Sequence, residues 1–71
     1  MIKGKWYKEV QGHRTLFLRY FGKHEGTGLL LFDKSIGGIP INEGYKLFGY
    51  PGMDQYLEPL KDHELKELEL S

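Results

Sequence analysis

Two neighbouring segments of this chain are apolar on both of their faces, and that property limits what it can fold into more than any other. Thr15 to Phe21 alternates Leu16, Leu18 and Tyr20 on one side with Phe17 and Phe21 on the other, and Arg19 is its only charge. Leu29 to Phe32 follows across a glycine-bounded polar turn and is apolar throughout. Successive side chains of a strand point to opposite faces, so a hairpin of these two segments needs cover on two sides. A chain of 71 residues is poorly supplied with cover, since a domain of this size buries only about 60 % of the surface its unfolded form exposes. Two outcomes follow. Either the sheet curls into a small barrel and consumes both faces, or an apolar strip stays open for another molecule.

The flanking segments give the rest of the architecture. From Ile2 to Val10, alternation puts Ile2, Gly4, Trp6 and Val10 on one side and Lys3, Lys5, Tyr7 and Glu9 on the other, which predicts a half-buried first strand. Gln11 and Gly12 predict a tight hairpin turn before the second strand. Ser35 to Gly44 holds too many glycines and prolines for a regular element, with Ile36, Ile39 and Ile41 available to pin it to a core. A fourth strand is predicted from Tyr45 to Tyr50, ending in a type II turn at Tyr50-Pro51-Gly52-Met53. Beyond it the vocabulary changes to Asp, Glu, Lys and Leu, and a short helix is expected to start at Pro59 or Asp62, with Leu57, Leu60, Leu65 and Leu68 as an imperfect apolar stripe. Such a helix is too short to stand alone and must pack on the sheet.

The expected fold is therefore α+β, mainly β: one domain over residues 1–71, built as a small antiparallel sheet or a partly open barrel of about four strands with a short C-terminal helix. In strand count and size it resembles small SH3-like barrels, a likeness of shape that implies no function.

Charge is balanced overall and divided along the chain. Residues 1–24 carry Lys3, Lys5, Lys8, Arg14, Arg19 and Lys23 against Glu9, a net of +5, and residues 25–71 carry four lysines against nine carboxylates, a net of −5. The acidic segment Asp54, Glu58, Asp62, Glu64, Glu67 and Glu69 either folds back as a lid over the basic strands or stands out as a bait for a partner.

The chemical inventory argues against catalysis. The serines are Ser35 and the chain-end Ser71, cysteine is absent, and the adjacent pairs in His24-Glu25 and Asp62-His63-Glu64 point different ways on any regular element. His13, His24 and His63 lack the spacing of metal ligands, so neither metal nor cofactor is expected. Gly22 to Gly28 is glycine-rich but leads into an apolar strand rather than a helix, which reads as a hairpin turn and not as a phosphate loop. Without cysteine a cytoplasmic setting is expected. The longest apolar run, Leu29 to Phe32, is far too short for a membrane span.

What remains is a binding module. Tyr7, Phe17, Arg19 and Phe21, flanked by Arg14 and Lys23, form the candidate partner surface, since aromatic and Arg anchors are what interfaces favour. The partner is a protein, either another one or a second copy of the chain, and a phage- or plasmid-type factor that occupies a host protein is one such module. The alternative is a small β-barrel that stacks single-stranded nucleic acid on the same rings.

Overall fold

The computed structural model describes residues 1–70, and Ser71 lies outside the described residues. Five strands form one open antiparallel sheet: β1 Trp6–Gln11, β2 Arg14–Lys23, β3 Leu30–Ile36, β4 Leu47–Phe48 and β5 Glu58–Pro59, in the spatial order β4-β3-β2-β1-β5. A short 3₁₀ turn, Met53–Tyr56, precedes β5, and one helix, α1 Asp62–Glu67, follows it. The mainly β expectation holds, with five strands in place of about four.

β1 and β2 are joined by the two residues Gly12 and His13, with Gln11 opposite Arg14. Gly12 has φ of 64° while His13 stays out of the left-handed region, which is the type II′ geometry that matches strand twist. The predicted turn at Pro51-Gly52 also forms, with Gly52 at φ 81° and ψ 4°. The glycine-rich segment 22–28 is a hairpin connection: His24 N–H donates to Leu29 O at 2.8 Å, and Gly28 N–H donates to His24 O at 2.8 Å.

The inner sheet face carries the core: Tyr7, Leu18, Tyr20, Leu30 and Phe32, closed by Met53 of the 3₁₀ turn. Leu18 and Phe32 have no exposed surface. The aromatic rings meet edge to face, Tyr7 on Tyr20 at 6.3 Å and Tyr20 on Phe32 at 6.2 Å, an arrangement favoured by the ring quadrupoles. Leu16, Ile41, Leu47 and Leu57 pack around this cluster. Of the three loop isoleucines expected to pin the 35–44 segment, Ile41 does so, whereas Ile39 is 73 % exposed.

Further expectations are corrected. In β1 the buried side is Tyr7 and Glu9, and Trp6 faces the opposite way, because Tyr7 lies across from the fully buried Leu18. The first strand also starts at Trp6 rather than Ile2, and the fourth shrinks to Leu47–Phe48. Pro59 does not open the helix. It lies in edge strand β5 opposite Tyr7, a position where proline's missing N–H is tolerated.

That short strand decides where α1 goes. Lys8 lies opposite Glu58, and Leu60 N–H donates to Trp6 O at 3.3 Å, so Leu60 shares the outer face with Trp6 and Lys8. Leu60 is 6 % exposed yet stands apart from the inner core cluster. The chain therefore crosses at β5 from the inner to the outer side, and α1 covers the outer face at the β1–β5 edge. Glu64 Oε1 accepts from the Lys61 N–H at 3.1 Å, which satisfies one free donor at the helix start.

Leu18→Ala is expected to cost about 2–5 kcal/mol of stability in urea unfolding, and Ile39→Ala less than about 0.5 kcal/mol. Equal effects would contradict this placement of the core.

Candidate functional site

The outer face divides into two halves. On the β1–β5 half, Trp6 is half-buried and Leu60 buried, and Lys8 Nζ donates to Glu64 Oε2 of α1 at 2.7 Å. On the β2–β3–β4 half, Phe17, Phe21 and Leu31 are half-buried, and Ile36 and Phe48 are 37 % and 50 % exposed. This half is left without an element above it.

Two irregularities in the β2–β3 ladder shape the open half. Register shifts between Arg19 and Tyr20 and between Tyr20 and Gly22 leave Asp33 and Phe21 as the extra residues of their strands. Bulges of this kind re-aim side chains, and here they crowd an acid and a ring onto one face. Asp33 accepts from the Arg19 guanidinium through two bonds, Nε to Oδ1 at 2.9 Å and Nη2 to Oδ2 at 2.8 Å. The Phe21 ring takes two ammonium groups, Lys3 Nζ at 4.4 Å and Lys46 Nζ at 4.5 Å from its centroid. Lys34, opposite Arg19, is exposed beside them. The result is two apolar patches, Phe17 with Ile36 and Phe21 with Leu31 and Phe48, separated by Lys34 and the Arg19–Asp33 pair.

Of the residues the sequence singled out, Phe17, Arg19 and Phe21 come together here. Tyr7 does not. It lies on the inner face at 6 % exposure, and its phenol oxygen accepts from the Ile2 N–H at 2.8 Å. Arg14 sits at the far end of β2 and donates from Nε and Nη2 to Gly37 O at 3.0 and 2.6 Å. Lys23 lies instead at an 80 Å³ cleft with Leu29, Leu30, Tyr50, Met53 and Asp54, well below the roughly 300–1,000 Å³ of small-molecule sites. The acidic residues are scattered as well: Asp54 lines that cleft, Glu58 lies beside Lys8 on β5, Glu64 holds Lys8, and Asp62, Glu67 and Glu69 are exposed.

Lys3, Lys46 and Phe48 were missed as site residues. The alternation of Lys46, Leu47 and Phe48 carried the signal, since Leu47 pairs with the buried Phe32 and so turns its neighbours outward. Glu9 was missed differently: it is 3 % exposed on the inner face, where its carboxylate accepts from the Tyr50 hydroxyl and from Gln11 Nε2.

The ion pairs and that phenol set the pH response. The hydrogen bonds from Arg19 and Lys8 hold Asp33 and Glu64 below the ordinary carboxylate range. Their contribution is therefore fully present above the unfolded carboxylate pKa of about 4 and is lost as pH falls through the lower folded values. The Tyr50 phenol is pushed up to about 12, first by its hydrogen bond to Glu9 and then by burial. That contribution is present below the ordinary phenol pKa of about 10 and fades as pH rises through the folded value.

Among the described residues no group of three His, Cys, Asp or Glu side chains is placed to hold a metal ion, and no helix is long and apolar enough to cross a membrane. The Asp33→Asn, Glu64→Gln double variant is expected to be less stable at neutral pH and to lose less further stability on acidification than the parent. Urea midpoints measured across the acid range check this, and parallel pH profiles would contradict it.

Compared with protein-family models, curated proteins and solved structures, the chain matches none.

Proposed function

We propose that the open half of the outer face docks a protein, and that the chain works as a binding module rather than a catalyst. One observation carries the reading: on this face Phe48 is half exposed beside Leu31 and near Phe21, and Phe17 with Ile36 forms a second apolar patch five positions along β3, with Arg19 and Lys34 between the two patches and Lys3 and Lys46 over Phe21. Aromatic and arginine anchors are the composition that protein interfaces favour.

The geometry favours protein over single-stranded nucleic acid. A strand-binding groove needs open rings for base stacking and unpaired cations for the phosphates. Here Phe21 is engaged by two lysines, Arg19 is neutralised by Asp33, Lys8 by Glu64, and Arg14 is committed to a backbone carbonyl, which leaves Lys3, Lys34 and Lys46 as the cations of this half without a carboxylate partner among the described residues. The reading needs no cofactor and suits a cytoplasmic setting.

Affinity capture with the parent chain, compared with a Phe17→Ala, Phe48→Ala variant whose circular dichroism is unchanged, tests it. Partner retention is expected to fall about tenfold or more, as loss of one aromatic anchor from each patch implies. Equal capture by the folded variant would contradict the reading. Steeply salt-dependent binding of a single-stranded oligonucleotide, abolished by the same changes, would favour the nucleic-acid alternative.

A further inference from the structure

We infer that the partner seated on this face is a second copy of the chain, bound about a two-fold axis so that each copy's α1 covers the other's open β2–β3–β4 half. The inference rests on the docking role proposed above and names its occupant. Three observations meet in it.

The first is geometric. Its own α1 reaches the outer face at the β1–β5 edge, through Lys8 and Glu64, and among the described residues no element lies over the face toward β4. Two such faces laid together about a two-fold put a helix over a bare half twice. The contact is self-complementary and closed, so it stops at two copies.

The second is charge. Within one copy the ion pairs among the described residues use Lys8 with Glu64 and Arg19 with Asp33. The bare half keeps Lys3, Lys34 and Lys46, while α1 and its flanks keep Asp62, Glu67 and Glu69 exposed against Lys61 and Lys66. A two-fold brings the second set over the first, and opposite charges facing one another fix both orientation and register. The division of the sequence into a basic and an acidic half thereby acquires a physical use.

The third is apolar matching. Leu65, Leu68 and Leu70 remain only half-buried in the single copy, and the Phe21, Leu31 and Phe48 patch is likewise incompletely covered. A reciprocal contact places leucine flanks from one copy against aromatic rings of the other.

Sedimentation equilibrium of the full chain tests the inference through paired charge reversals. The parent is expected to pass from one copy to two between about 1 μM and 1 mM, and more weakly as salt screens the contact. Lys3→Glu with Lys46→Glu, and separately Glu67→Lys with Glu69→Lys, are each expected to weaken association about tenfold or more, because like charges then face one another. An equimolar mixture of the two variants is expected to restore association as a mixed dimer. Because Lys3 and Lys46 pack on Phe21, Lys34→Glu paired with Asp62→Lys gives a second test at exposed positions, with folding followed by circular dichroism. A parent that stays single at about 1 mM overturns the inference, as do reversals that leave its dimer unchanged or a mixture that fails to recover. In those cases the docking role of the face still stands or falls on capture of a different protein that depends on Phe17 and Phe48.

Discussion

The β2–β3 hairpin carries large apolar side chains on both faces, and the rest of the molecule is arranged around covering them with too little chain. Leu18, Tyr20, Leu30 and Phe32 on the inner face receive a full cover from Met53, Leu57, Ile41 and Leu47. Phe17, Phe21 and Leu31 on the outer face receive none of these. The only element that crosses to their side is α1, six residues long, and it arrives at the opposite edge because β5 pairs with β1. Buried apolar area contributes about 25 cal/mol per Å², so an uncovered strip is stabilisation forgone in a domain that has little to spare.

The polar groups soften this exposure without removing it. Arg19 and Asp33 lie on the outer face as a closed pair, and the ammonium groups of Lys3 and Lys46 sit over the Phe21 ring. Phe48, at the β4 edge, lies opposite Leu31 with the His24 ring at 5.2 Å, and stays half exposed. The inner face meets the opposite difficulty: Glu9 is a carboxylate inside an apolar layer, kept there by the Tyr50 hydroxyl and the Gln11 amide. Hydrogen bonding of that kind is what a buried charge requires. It also ties the segment before the 3₁₀ turn to β1 and so holds Met53 over the core.

Much of this was legible in the residues. Gly12 and Pro51-Gly52 announce their turns through backbone geometry that few other residues accept, the segment 22–28 reads as a hairpin connection, and the change of vocabulary near Asp62 marks the helix. The two-faced apolarity of β2 pointed to an incompletely covered sheet, and Phe17, Arg19 and Phe21 do share that face. The facing of β1 was not legible, because Trp6 and Tyr7 are adjacent aromatics and a one-residue shift of the pattern exchanges them. Tyr7 was consequently assigned to the wrong side. β5 was illegible for another reason: Glu58 and Pro59 have low strand propensity and join the sheet only through pairing at its edge. With β5 unseen, the side on which α1 would lie was unseen too, as was the reach of Lys3 and Lys46 to one ring across 43 positions of sequence.

The central claim is that a single copy leaves the β2–β3–β4 half of the outer face open to water. Hydroxyl-radical footprinting of the dilute chain, below the concentration at which any association occurs, tests it most directly. The account predicts rapid modification of Phe48 and intermediate modification of Phe17 and Phe21, with Phe32 and Leu18 protected. Protection of Phe48, Phe17 and Phe21 to the level of Phe32 would contradict it.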